Sequence, residues 1–287
     1  MDMQEAAPGV AVEATNLGLK GPRGQVFRDV RLQARPGSLI AVEGPSGSGR
    51  TCLLLTLTGR MKPNQGHATV DGHRLPKGMS AVRRISALAN VSGVTDLEPA
   101  LTVGEHLRER ALLESRFGDS LRALLRPRDE RTAAARRRID AALAAAGLDQ
   151  DALPKGPRTA VRDLERLEAL RLSVALALMS RPRLLAVDDT DLKLSASERA
   201  AAWALLRSVT EAGTTVLAVC EEAPQDAVVV STSPGYRVPP DRDVDPPDAV
   251  RGAEDAPEEA TTPDEPSEDG SNDDKETADA LAETGRA

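Results

Sequence analysis

The sequence predicts an α/β fold: a mostly parallel sheet, an antiparallel β portion at the N-terminal side, and an inserted helical subdomain. Three observations carry this. Short apolar runs alternate with helix-forming stretches from residue 38 onward. A glycine-rich loop joins one such run to a helix, and residues 101–148 carry helical rather than strand periodicity.

In order along the chain, residues 11–19 and 25–33 read as two strands joined by a Gly-Pro-Arg-Gly turn at 21–24. Residues 38–42 form a short apolar strand, and a helix follows the glycine-rich loop through 52–58. Further strands are expected at 67–70 and 84–91. Leu107, Leu112 and Leu113 then recur at helical spacing, Pro127 marks a break, and 131–146 forms a helix with Gly147 as its stop. Residues 164–179 read as a long helix ended near Pro182. The remaining expectations are a buried strand at 183–187, a helix at 196–209, and strands at 215–220 and 227–230.

Hydrophobic residues make up 40% of the 287 and aromatics 1%, so the core must be aliphatic. The net charge of −8 is unevenly spread: residues 241–287 hold 17 Asp+Glu against 4 Lys+Arg, which leaves +5 on residues 1–240. That acidic, Pro-rich stretch lacks the apolar surface to offset the entropy of ordering it, so 233–287 reads as a disordered tail or an acidic docking segment. Residues 1–10 read as a flexible N-terminus. The two cysteines, Cys52 and Cys220, exclude a disulfide framework and read as small buried hydrophobes. With no secretory signal and no uncharged apolar run of about 20 residues, the expectation is a cytoplasmic protein that meets a membrane only through a partner. The arginines at 126, 128, 131 and 136–138 read as a solvated helix face, or as a contact for a membrane partner, an acidic tail or an anionic bilayer surface. Few aromatic platforms exist, so no nucleic-acid partner is expected.

The sharpest motif is Gly44-Pro45-Ser46-Gly47-Ser48-Gly49-Arg50-Thr51. It fits the phosphate-binding pattern G-x-x-x-x-G-K-[ST] at every defined position except the lysine, which is Arg50. Glycines let successive N–H groups turn into one concavity, and the helix that opens there adds its positive dipole end. A planar guanidinium in place of a slim ammonium is expected to weaken binding. The Thr51 hydroxyl is placed to ligate Mg²⁺, and Cys52 completes the candidate ligand-contacting set.

This loop, the segment 101–107, the run 171–178 and the stretch 181–189 occur in the order found in ABC transporter ATP-binding subunits. Over residues 11–232 the chain resembles that family, with a helical subdomain at about 101–180. The resemblance implies a P-loop NTPase fold, ATP and Mg²⁺ as cofactors, an integral membrane subunit encoded separately, and a dimer with itself or with an intact subunit. It makes Asp188 the Mg²⁺ carboxylate, acting through water, at the end of the strand 184–188. Asp189 falls where the family keeps the glutamate that polarises the attacking water, and it is one methylene shorter.

Other family positions differ. Leu164-Glu165-Arg166-Leu167-Glu168 stands where the family has Leu-Ser-Gly-Gly-Gln, which brings carboxylates toward a phosphate held by the opposite subunit. Near Glu221 the switch histidine is missing; His67, His73 and His106 lie elsewhere. Neither an aromatic at 20–23 nor a glutamine at 90–96 is present, Asn90 being a poor stand-in, and Ser195 replaces an aspartate. Two functions follow: an ATP-binding transporter subunit with weak or absent hydrolysis, or a non-catalytic pseudo-ATPase in a regulatory or structural role. A small-molecule kinase is a distant third, because no acceptor site is legible.

Overall fold

A computed structural model of the chain describes residues 9–117 and 127–232. The expected tail at 233–287 and Arg126 lie outside these residues, as do residues 1–8 of the expected flexible N-terminus. Within that expected terminus, Val10 is fully buried and bonds through both its N–H and its C=O to the Thr215 hydroxyl.

Two sheets form. The first is antiparallel, in the order β2-β1-β4-β5, from β1 (Val12–Gly21), β2 (Gly24–Ala34), β4 (Gln65–Val70) and β5 (His73–Leu75). The second is parallel, in the order β6-β7-β8-β3-β9, from β3 (Leu39–Glu43), β6 (Ser86–Ala89), β7 (Leu184–Val187), β8 (Thr215–Cys220) and β9 (Val228–Ser231). This bears out the expected mostly parallel sheet with an antiparallel portion. Strands β6, β7 and β8 are buried along their whole length, as a parallel sheet covered on both faces requires, so they read as unbroken apolar runs.

The helices are α1 (Arg50–Leu57), α2 (Met79–Ile85), α3 (Val103–Phe117), α4 (Arg128–Ala146), α5 (Arg166–Leu178) and α6 (Ala196–Glu211). Gly147 ends α4 in the left-handed region at φ 61, where its N–H bonds back to the Ala144 carbonyl. Two aliphatic clusters make the core. One joins one face of the parallel sheet to α3, α4, α5 and α6. The other lies between the two sheets and takes in α1 and α2. A bidentate ion pair between Arg183, just before β7, and Asp71, just after β4, ties the sheets together; its Nη2–Oδ1 arm is 2.9 Å. Three elements depart from expectation: β5 adds a short strand where none was expected, α2 occupies residues expected to be loop or the start of a strand, and β6 is confined to four residues. No helix among the described residues is long and apolar enough to cross a membrane.

Candidate functional site

The parallel sheet brings the C-terminal ends of β3, β7, β8 and β9 to one edge, the place where open α/β sheets hold ligands. The loop 44–49 leaves β3 here and turns into α1. Gly49 is the N-cap of α1, at φ 87, with no side chain to cap the helix and no acidic residue in the first turn. A Cβ at Gly49 would stand 2.5 Å from the Val26 carbonyl oxygen, so only glycine fits between the loop and the β1–β2 hairpin. A Cβ at Gly44 would lie 2.6 Å from the Thr232 hydroxyl and 2.7 Å from the Ser48 hydroxyl. Those two hydroxyls are themselves 2.6 Å apart, which braces the loop against the residue after β9.

Arg50 crosses to the end of β8, where its Nη1 donates to the Cys220 carbonyl at 2.5 Å. From the next position, the Thr51 hydroxyl donates to Asp188 Oδ2 at 2.7 Å. Asp188 is 2% exposed, and burial pushes its carboxyl pKa up, with the neighbouring Asp189 adding to the shift. The Thr51 hydroxyl, the Asp189 N–H at 3.1 Å and the charge of Arg50 oppose that rise. Cys52 is half-buried in the first turn of α1, and burial together with Asp188 raises its thiol pKa. The Cys220 thiol is fully buried and pushed up to about 12, chiefly by burial.

An uncapped helix start with no acidic residue of its own in the first turn suits an anion. A hydroxyl paired with a carboxylate is a hard oxygen set of the kind Mg²⁺ takes. The residues present therefore fit a magnesium-bound polyphosphate.

The other candidate positions are arranged differently. Asp189 is half-buried in a left-handed backbone conformation at φ 47. Asn90 follows β6 and donates through Nδ2 to the Asp188 carbonyl at 2.9 Å, so it holds the end of β7. Glu165 and Glu168 close a capping box over the start of α5, with Glu168 accepting from the Glu165 N–H at 2.9 Å. Ser195 does the same for α6 with Glu198. His67 and His73 lie exposed on the antiparallel sheet, and the ring of His106 in α3 sits near the Glu98 carbonyl. Two contributors escaped the sequence reading. One is Thr232; the other is Asp191, whose Oδ2 accepts from the Glu221 N–H at 2.8 Å and the Glu222 N–H at 3.3 Å, fixing the turn after β8. Each joins residues remote in sequence, so no local pattern announces it.

Comparison with known proteins agrees with this geometry. The family model described as ABC transporter matches residues 27–191. The Nod factor export ATP-binding protein I of Cupriavidus pinatubonensis is 31% identical over 192 residues, which covers 67% of this chain and 53% of that protein. The cytochrome c biogenesis ATP-binding export protein CcmA of Bordetella parapertussis is 30% identical over 198 residues, covering 69% of this chain and 76% of that protein. The chain thus spans about half the length of the Nod factor relative. Among solved structures, the dimeric post-hydrolysis ATP-binding cassette MJ0796 bound to ADP and Pi superposes with a TM-score of 0.56 at 21% identity, over 74% of this chain and 88% of that one. The chain belongs to the ABC transporter family, as one of its ATP-binding cassettes.

Proposed function

We propose that this chain is the subunit of an ABC-type transporter complex that binds ATP with Mg²⁺ at residues 44–52, with weak or absent hydrolysis. The observation that carries the reading is the 2.7 Å pairing of Thr51 with the buried Asp188, set beside an uncapped helix start. The N–H groups of the loop and of the first turn of α1 hold phosphate oxygens, and the dipole of α1 adds to that hold. Thr51 and Asp188 hold Mg²⁺, which when bound neutralises charge on the phosphates. Arg50 has to exchange the Cys220 carbonyl for a phosphate oxygen, and this offsets part of the binding energy.

Hydrolysis needs more than this. Asp189 is the candidate base, and the side chain is short for the distance its role spans in the family. The start of α5 carries Glu165 and Glu168 where a phosphate held by the opposite subunit has to approach, and no histidine stands at Glu221. These groups favour the second reading, a non-catalytic pseudo-ATPase with a regulatory or structural role. The partners in either case are a separately encoded integral membrane subunit and a second cassette, either identical or intact. Its place is cytoplasmic, at the membrane through those partners. The export proteins among its relatives and the dimeric cassette it resembles support this assembly.

Calorimetric titration of the purified protein with ATP, with and without Mg²⁺, tests the binding claim. Saturable binding below millimolar ATP is expected. Asp188→Asn should abolish the gain from Mg²⁺ while sparing metal-free binding. Absence of binding at millimolar ATP would remove the nucleotide reading and leave a scaffold.

A further inference from the structure

We infer that Asn90 and Ser173 are positioning residues for the metal carboxylate: acting through the peptide between Asp188 and Asp189, they set which oxygen Asp188 presents to Mg²⁺. The inference rests on the magnesium reading of Thr51 and Asp188 above and adds the residues that orient that pair.

Strand register brings the parts together. Strands β6 and β7 run parallel with Ala89 opposite Val187, so the residues that follow them, Asn90 and Asp188, emerge side by side. Asp188 is buried, so neighbouring protein groups rather than bulk water fix its orientation. Its N–H donates to the Ala89 carbonyl at 3.2 Å, and its C=O accepts from Asn90 Nδ2 at 2.9 Å. That C=O and the Asp189 N–H belong to one peptide group, which is planar and rigid. Holding the carbonyl therefore aims the N–H, and the N–H donates to Asp188 Oδ1 at 3.1 Å. With Oδ1 engaged, Oδ2 is the oxygen turned to the Thr51 hydroxyl.

Asn90 is itself anchored. Its N–H donates to Ser173 Oγ at 2.6 Å, and Ser173 sits on α5 at 4% exposure. The backbone of Asn90 is left-handed at φ 56, a conformation that Asn enters at lower cost than most residues. Two contacts made by one residue thus run from the middle of α5 to the carboxylate at the end of β7. Partners that orient a metal ligand without touching the metal govern affinity for it strongly.

Calorimetric ATP titrations of the full chain over a series of Mg²⁺ concentrations, run on the wild type, Asn90→Gly and Ser173→Ala, separate this role from a merely structural one. Glycine keeps the left-handed turn and the backbone N–H to Ser173 and removes the amide alone. The Mg²⁺ concentration that gives half of the gain in ATP affinity should rise about tenfold in Asn90→Gly, and by less in Ser173→Ala. Metal-free ATP affinity should stay within about twofold of wild type in both. An unchanged Mg²⁺ midpoint in Asn90→Gly, or an equal loss of affinity with and without the metal, would overturn the inference and leave the proposed function standing. If Asn90→Gly does not fold, the same two outcomes in Ser173→Ala decide. A wild type that binds no ATP, or whose affinity gains nothing from Mg²⁺, would overturn both the inference and the magnesium reading beneath it.

Discussion

The starts of α1 and α5 make an instructive pair. Every helix start leaves N–H groups without intrahelical partners and carries a partial positive charge. At α1 the N-cap is Gly49, with no side chain to offer, and the first turn holds no acid. Its donors remain available to a ligand. At α5 the N-cap is Glu165 and the third helical residue is Glu168, whose carboxylate accepts from the Glu165 N–H at 2.9 Å in a capping-box arrangement that leaves acids over the helix start. The first end leaves its donors open, as an anion site needs; the second is already supplied with a carboxylate of its own. Anion binding at a helix start therefore depends as much on what the sequence withholds as on what it provides.

The largest expected effect comes from closing the open end. Gly49→Ala puts a Cβ against the Val26 carbonyl and forces alanine to φ 87. It should destabilise the fold by about 2–3 kcal/mol, read from the urea midpoint, and abolish nucleotide binding. Wild-type affinity in that variant would mean that the loop does not hold the ligand. Opening the closed end should do less. Glu165→Ala removes a cap and should reduce stability by about 1 kcal/mol, with ATP affinity within twofold of wild type. A large change in affinity would show that the two helix starts are coupled within one chain.

Much of this contrast was legible in the sequence. The loop 44–51 announced itself through spacing, and the strand at 215–220 was placed to the residue because an unbroken apolar run between polar flanks has few other readings. Glu165 and Glu168 were visible as departures from a family pattern, but not as a capping box, which needs the backbone geometry of the α5 start. Helix α2 was missed because its apolar stripe is only three residues long (Met79, Val82 and Ile85) and the helix runs directly into β6. The braces of the site were out of reach for a simpler reason. Ser48 and Thr232 are 184 residues apart, and Asp191 meets Glu221 across 30, so each contact exists only once the strand order is set. The span of Arg50 to the Cys220 carbonyl likewise depends on β3 and β8 being neighbours.

The central claim is the proposal that the chain holds a triphosphate with weak or absent hydrolysis, and that the groups which differ from the family beyond the loop, rather than Arg50, set this limit. Single-turnover phosphate release from prebound Mg-ATP, compared between the wild type and Arg50→Lys, tests it most directly. The expected result is tighter binding in Arg50→Lys, with release at the buffer background in both proteins. Phosphate release well above background in the wild type, or its appearance in Arg50→Lys alone, would contradict the account.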